Sequence, residues 1–383
     1  MRIEKVVIII PTYNEALVIE DTLLALFQTI ASIVSHEVQV LVFDSCSTDD
    51  TAARVRAMQD TNDRLYLQTE PSKSGLGSAY LQAMRFALEE MSADLVVEFD
   101  ADLSHQPHYI PLMLEKMKTH DVVVGSRYVI GGSIPKAWGW HRKLLSVLGN
   151  KVARWFLTSK YKDFTSGFRM THRRVLETVL PTAFLSNHYA YKIELMWLLH
   201  RKKARIAEYP IVFVDREKGV SKLPTNSILD SLRVLSVLRF NALQGYLKMC
   251  LVGLSGVLVQ CVLYNVLRQT MPPIQAAQCA IFAAIVNNFL LNNRFTFKTA
   301  MTRAQCFKSL GLFIGYSLMM VGAQSYWLHL GLKYLGQGGL QENITLLSGI
   351  ILGSLLNYLI YSRLIWRQNP TISSAAPLDN NTV

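Results

Sequence analysis

The chain has 383 residues, half of them apolar and 17% charged, with a formal net charge of +11. A charged fraction below the roughly 25% of ordinary soluble domains excludes an intrinsically disordered chain. Five cysteines, an odd number without close pairs or metal-type spacing, argue against a secreted disulfide scaffold.

The charge is unevenly spread. Residues 1–225 carry 28 Lys and Arg against 25 Asp and Glu, whereas residues 226–383 carry 11 against 3 (Asp230, Glu342 and Asp379). The first part reads as a soluble α/β domain. The second, apolar with basic edges, reads as a membrane domain. A nucleic-acid binder would cluster its Lys and Arg with exposed aromatics on a polar surface.

At the amino end, Val6–Ile10 is a short apolar run that stops at Pro11. A secretory core needs about 7–15 apolar residues, so a buried strand is expected here and a cytoplasmic first domain with it. Reduced cysteines suit that compartment. Further strands are expected at 38–43, 64–68, 94–99 and 121–125, after a first at 5–10. Helical patterns fall near 17–33, 49–58, 76–90 and 108–118. This alternation predicts a largely parallel sheet covered on both faces. Such sheets bind ligands beyond the carboxyl ends of their strands.

Acidic groups gather at three of those ends. The first strand runs into Pro11-Thr12-Tyr13-Asn14-Glu15, the second into Asp44-Ser45-Cys46-Ser47-Thr48-Asp49, and the fourth into Asp100-Ala101-Asp102-Leu103-Ser104. Ser47 and Asp49 also suit helix caps. Asp100 and Asp102, two residues apart after Leu95-Val96-Val97, repel unless a cation or donor lies between them. Hard oxygen ligands of this kind suit Mg²⁺ or Mn²⁺, ions that also hold substrate phosphates. Lys73-Ser74-Gly75-Leu76-Gly77-Ser78-Ala79 precedes a helix and reads either as a phosphate-approaching backbone or as a flexible loop. It lacks the Gly-x₄-Gly-Lys spacing of a nucleotidase loop.

Taken in order, Pro-Thr-Tyr-Asn-Glu, Asp-x₄-Asp, Lys-x-Gly-Leu-Gly and Asp-Ala-Asp-Leu-Ser-His resemble the inverting family 2 glycosyltransferases of GT-A fold, an α/β, Rossmann-like architecture. Within that family the chain resembles polyprenyl-phosphate sugar synthases of the dolichol-phosphate mannose synthase type. Gly125-Ser126-Arg127-Tyr128, Gly131-Gly132, Trp138 to Ser146, Asn150, Asp163 to Arg169 and Asp215 to Lys222 extend the match over about residues 4–225.

The resemblance implies roles residue by residue. Pro11, Tyr13, Glu15 and Asp44 would hold the base and ribose, and the nucleotide contacts would continue through Asp100, Ala101 and Asp102. A divalent ion would sit on Asp100, Asp102 and Ser104, chiefly Asp102. Arg127, Arg142, Ser146, Arg216 and Lys222 would hold the lipid phosphate and the donor diphosphate. Asp102, Arg127 and Arg142 would be the catalytic residues. Glu194 matches a family acidic position without an assigned role. The chain departs from the family at Ser45, where a second acid is common, and at Ser104, where many relatives carry Gln.

The chemistry suits these residue types. A sugar nucleotide leaves as a diphosphate, whose developing charge is stabilised by a divalent ion and by Arg or Lys. The acceptor, a polyprenyl monophosphate, is already anionic and needs positioning more than a base. Arg127, Arg142, Arg169, Arg216 and Lys222 are the candidate cations, Arg being suited to bidentate phosphate binding. His200-Arg201-Lys202-Lys203 reads as a solvated helix end, and His105, His108 and His141 as turn and surface residues.

The carboxyl half holds four apolar segments, 247–268, 274–293, 309–331 and 344–363, each near the roughly 20 residues that cross a bilayer core. Arg294, Lys298, Arg303 and Lys308 follow the second, and Arg363 and Arg367 the fourth; only Arg268 and Lys333 occupy the other connections. The positive-inside rule therefore places both termini in the cytoplasm. A weak repeat relates Asn288…Arg294…Phe297 to Asn357…Arg363…Trp366. This half resembles the four-helix GtrA-like membrane family. The expected organisation is a catalytic domain at 1–225, a linker at 226–246, a membrane domain at 247–367 and a disordered tail at 368–383. On the linker, Ile228, Leu229, Leu232, Leu235, Phe240, Ala242 and Leu243 share an arc interrupted by Arg239, as an interfacial helix would, with a linker helix packed on the catalytic domain as the alternative.

These readings predict an enzyme that moves mannose from GDP-mannose to polyprenyl phosphate, with UDP-glucose as the alternative donor. A sugar-lipid carrier with a binding-only soluble domain is the competing class, and no nucleic-acid partner is expected.

Overall fold

The computed structural model describes residues 3–216, 226–298, 302–335 and 339–366. The chain separates into two compact units, Met1–Phe240 and Asn241–Val383.

The first unit is built on seven strands: β1 (Glu4–Thr12), β2 (His36–Asp44), β3 (Leu65–Thr69), β4 (Leu95–Glu98), β5 (Val122–Ser126), β6 (Arg169–His172) and β7 (Ile206–Pro210). Their order is β3-β2-β1-β4-β6-β5-β7. The helices are α1 (Ile19–Ile30), α2 (Thr51–Gln59), α3 (Leu76–Glu89), α4 (Tyr109–Met117), α5 (Trp140–Phe156), α6 (Arg173–Leu176) and α7 (Tyr191–Arg201). All strands and helices expected within residues 1–126 form.

Val6–Ile10 is wholly buried on central β1. That explains its unbroken apolar run, because a parallel strand covered on both faces has no polar side to show. Each such side chain contributes roughly 1.5–3 kcal/mol by leaving water.

The sheet is mostly parallel, with one exception that the sequence pattern does not display. Strand β6 lies antiparallel between β4 and β5. Its four residues, Arg-Met-Thr-His, offer no apolar run to detect. Its register sets Arg169 directly across from Glu98.

Four long helices follow: α8 (Ser227–Leu267), α9 (Pro273–Leu291), α10 (Arg303–Leu335) and α11 (Gly339–Ile360). Among the described residues three helices are long and apolar enough to cross a membrane, Ser227–Leu267, Ala304–Leu335 and Leu347–Ile365. The 19-residue α9 is not among them. Helix α8 runs without a break from the expected linker into the expected first span. Of the predicted interfacial arc, Ile228, Leu229, Leu232 and Phe240 are exposed, but Leu235 is buried together with Val234 and Leu238. The helix thus has a packed face beside an exposed apolar one.

The weak repeat has a structural counterpart. Asn292–Thr296 and Tyr361–Ile365 are both π-helical turns. Each is closed by a bond back over five residues, Phe297 N–H to the Asn292 carbonyl at 2.9 Å and Trp366 N–H to the Tyr361 carbonyl at 2.8 Å. The equivalent aromatics Phe297 and Trp366 stack on one another at 4.7 Å and 7°. They anchor a buried cluster with Phe289, Phe313 and Tyr361.

Candidate active site

Strands β2 and β4 flank β1 in parallel, so their carboxyl ends and the acidic motifs after them converge. Asp44 and Thr12 are register partners. The Thr12 hydroxyl donates to Asp44 Oδ1 at 2.9 Å, the Ser47 hydroxyl to the same oxygen at 2.5 Å, and Ser47 N–H to Oδ2 at 2.9 Å. The buried carboxylate is therefore held by neutral donors in an Asx-turn. Asn14, in the left-handed region at φ 53°, ties the first motif to the second. Its N–H donates to the Ser47 hydroxyl at 2.8 Å, and its side-chain oxygen accepts Thr48 N–H at 2.8 Å. Asp49 accepts Thr51 N–H at 3.0 Å, but the N-cap of α2 is Asp50, which makes no side-chain capping bond. Lys73 Nζ sits 3.3 Å above the Tyr13 ring, a cation–π contact.

The Lys73–Ala79 segment owes its glycines to close backbone packing. Gly75 has φ +102°, and Gly77 N–H donates to the Asn187 carbonyl at 2.8 Å. A Cβ at Gly77 would lie 2.6 Å from the Ser186 carbonyl oxygen. The strap Leu185–His188 is itself pinned. Leu185 N–H donates to Glu194 Oε2 at 2.7 Å, the Ser186 hydroxyl to Asp230 at the start of α8, and His188 N–H to the Ser186 hydroxyl at 3.0 Å. Burial pushes the Glu194 carboxyl up to about 7, and the Leu185 bond offsets only part of that.

The end of β4 is a different environment. Asp100 has Lys192 Nζ at 3.9 Å from one oxygen and His105 Nδ1 at 3.6 Å from the other. Burial raises its pKa, but the charges of Lys192, His105, Arg216 and Arg127 outweigh this and hold it below the usual carboxylate range. Asp102 pairs with Arg216 at 2.7 Å and accepts Ser104 N–H at 3.1 Å. Ala101 and Ser104 are buried. Tyr189, which the sequence reading missed, feels the charges of Asp100, Arg216, Asp102 and Glu15. Burial is the main reason that its phenol is pushed up to about 12.

Arg127 forms a bidentate, buried pair with Asp163, both contacts at 2.8 Å, and donates to the Thr165 hydroxyl at 2.8 Å. Arg142 lies 3.9 Å over the Trp138 ring and 3.4 Å from Asp215. On the same helix α5, the Ser146 hydroxyl bonds the Tyr128 hydroxyl at 2.6 Å. Lys222 falls outside the described residues.

Two expectations are corrected. Arg169 is no phosphate ligand: it is buried in the sheet, bidentate to Glu98 at 2.6 and 2.8 Å. His105 is no surface residue: its buried ring packs among Phe99, Phe168 and Phe213. The stretch after Asp100 turns inward to put it there, so sequence distance from an apolar run misjudged its burial.

A divalent ion fits the chemistry of this donor set. Asp100 and Asp102 bring hard carboxylate oxygens to one strand end, the ligand type that Mg²⁺ and Mn²⁺ take. Among the described residues no group of three His, Cys, Asp or Glu could hold a metal ion.

Helix α5 adds a feature not read from the sequence. Trp140, Leu144, Leu148 and Trp155 are exposed along it, spaced to share one side.

Residues 7–180 match the glycosyl transferase family 2, and residues 248–366 match the GtrA/DPMS transmembrane domain. The chain is 38% identical over 221 residues to an undecaprenyl-phosphate mannosyltransferase of Micrococcus luteus, covering 57% of this chain and 87% of the relative. It is 35% identical to a polyprenol monophosphomannose synthase of Mycolicibacterium smegmatis, covering 60% and 84%. A dolichol-phosphate mannosyltransferase of Pyrococcus furiosus is 32% identical over 373 residues, 94% of this chain and 99% of the relative. The chain therefore belongs to the family 2 glycosyltransferases of the polyprenyl-phosphate mannose synthase type, joined to a GtrA/DPMS transmembrane domain.

Proposed function

We propose that this enzyme transfers mannose from GDP-mannose to a polyprenyl monophosphate at the cytoplasmic face of a membrane. The observation that carries the reading is the acid pair at the end of β4, Asp100 and Asp102, faced by Arg216 and Lys192. Relatives named as mannosyltransferases acting on undecaprenyl, polyprenol and dolichol phosphates support the sugar and the acceptor class.

In the proposed reaction an oxygen of the polyprenyl phosphate attacks C1 of the mannose from the side opposite the diphosphate. The new C1–O bond forms as the bond to the diphosphate oxygen breaks, and GDP leaves with the electron pair. The configuration at C1 inverts. The acceptor phosphate is ionised, so no side chain has to remove a proton. Pro11, Tyr13, Glu15 and Asp44 frame the nucleoside, with Lys73 steadying Tyr13. Arg216 is released from Asp102 to meet phosphate oxygens, joined by Lys222. Arg142 and Ser146 on α5 hold the acceptor phosphate. Asp163 fixes the guanidinium of Arg127 so that it presents a pre-oriented charge. A divalent ion on Asp100 and Asp102, with Ser104 beside them, would stabilise charge on the leaving diphosphate. The apolar stripe of α5, with Lys151 within it and Lys143 and Arg154 along one edge, would rest on the bilayer, while Arg142 and Ser146, on the opposite side of the helix, would face the acceptor phosphate from the site.

The test is a donor competition. Purified protein is incubated with polyprenyl phosphate, Mg²⁺ or Mn²⁺, and labelled GDP-mannose or UDP-glucose, and label is read in the organic phase with and without chelator. Label from GDP-mannose, lost on chelation, is expected. Label from UDP-glucose alone would replace the donor, and none from any nucleotide sugar would turn the reading toward a carrier.

A further inference from the structure

Lys192 is a lysine where the helix pattern calls for an apolar residue. It lies in α7 between Tyr191 and Ile193, and all three are buried. A buried ammonium is costly unless paired. Here its nearest carboxylate is Asp100, at 3.9 Å, on a strand end 92 positions away in the sequence. Its Nζ also lies 5.6 Å from the centre of the Tyr189 ring.

The surroundings are shaped for this meeting. Gly167 borders the site, and a Cβ there would collide with Lys192 Nζ and approach both Asp100 oxygens to 3.1 Å. Any larger residue at 167 would close the gap in which the ammonium and the carboxylate face each other. The backbone of Lys192 is fixed as well. Its carbonyl accepts from Arg169 at 3.3 Å, and Arg169 is held in turn by Glu98. The lysine therefore projects from a braced helix start into the acidic end of β4 with little freedom to leave. A full salt bridge would be shorter, and at 3.9 Å room remains for Asp100 to face a further charged group.

We infer that Lys192 is a fixed cation of the donor site, a positioning residue that orders Asp100 and lends permanent positive charge beside the nucleoside diphosphate. This rests on the reading of the β4 end as the diphosphate site. It implies that part of the charge neutralisation is built into the chain and persists without a divalent ion. It also implies that Lys192 competes with that ion for Asp100.

The experiment measures binding rather than turnover. The full chain in detergent is titrated calorimetrically with GDP, and in parallel with UDP, once in EDTA and once in saturating Mn²⁺. The variants are Lys192→Gln and Gly167→Ala, each checked for an unchanged unfolding midpoint. Wild type is expected to bind GDP in EDTA. K192Q should weaken that binding about tenfold, with the difference shrinking below about threefold in Mn²⁺, as expected for one lost charge in a partly screened site. Mn²⁺ itself, titrated alone by electron paramagnetic resonance, should bind K192Q more tightly than wild type. G167A keeps the charge but crowds it off Asp100, and should reproduce the loss in EDTA even where K192Q folds poorly. Equal affinity of wild type and both variants in EDTA, or an equal loss with and without Mn²⁺, would overturn the inference. So would a wild type that binds no nucleotide until metal is added. Binding of UDP in place of GDP would instead count against the donor named above, and Lys192 would then be judged on UDP.

Discussion

The carboxyl ends of β2 and β4 lie on either side of β1 and both carry acids, buried at Asp44 and only partly covered at Asp100 and Asp102, and the two are treated differently. Asp44 on β2 is satisfied by two hydroxyls and a backbone N–H. Asp100 and Asp102 after β4 are answered by Lys192, His105 and Arg216. A carboxylate held by neutral donors keeps its place whatever arrives, and serves as a frame. Carboxylates held by cations can exchange partners when a polyanion and its counter-ion enter. On the proposed function, the first end would stay and the second would be rearranged.

Removing the exchangeable end should have the largest effect. Asp102→Ala is expected to lower transfer by about a thousandfold, the scale of losing a group aimed at transition-state charge, while the unfolding midpoint holds. Organic-phase label near the wild-type rate would show that the β4 end is not where the diphosphate is handled. Next comes the buried ion pair that follows β5. Asp163→Ala strands the buried Arg127 guanidinium and should cost about 3–5 kcal/mol in chemical denaturation. The frame should be cheaper to damage: Asp44→Ala leaves neutral donors without an acceptor, a loss of about 1–3 kcal/mol. A cost at Asp44 as large as that at Asp163 would erase the distinction between an acid held by neutral donors and one held by a cation.

Glu194 marks the limit of the comparison, an acid given neither cations nor a set of hydroxyls. Its carboxyl, ordinarily at 4.5, is raised to about 7. Between these values the folded protein holds a proton that the unfolded chain has released. Stability from this group is therefore intact below about pH 4.5 and is lost as pH rises toward 7. Glu194→Gln should unfold a few degrees higher than wild type at pH 8 and about equally at pH 4.5. A difference of the same size at both pH values would mean that the carboxyl is ionised and paired in the folded state.

The sequence displays the parts of this site that obey local rules. The strand runs are legible because burial on both faces leaves only β-branched and aliphatic residues, as at Val6–Ile10. Asp100 and Asp102 are legible because two acids after such a run need an explanation. The partners that decide what those acids do come from elsewhere. Lys192 reaches Asp100 only through the gap left by Gly167. Arg169 looks like one more phosphate-binding arginine until the antiparallel register of β6 sets it against Glu98. His105 follows an acidic, turn-like stretch and still ends among three aromatic rings. Each depends on a pairing between distant strands or helices, which no local periodicity encodes.

In the other unit, Phe297 and Trp366 close equivalent π-helical turns and lie flat against each other. The two turns thus meet across a pseudo-symmetric contact in which each half supplies the ring that covers the other. Equivalent backbone geometry survives different side chains, Asn292 standing where the other turn has Tyr361 and Thr296 where it has Ile365. Removing either ring would therefore uncover the turn that the other half closes.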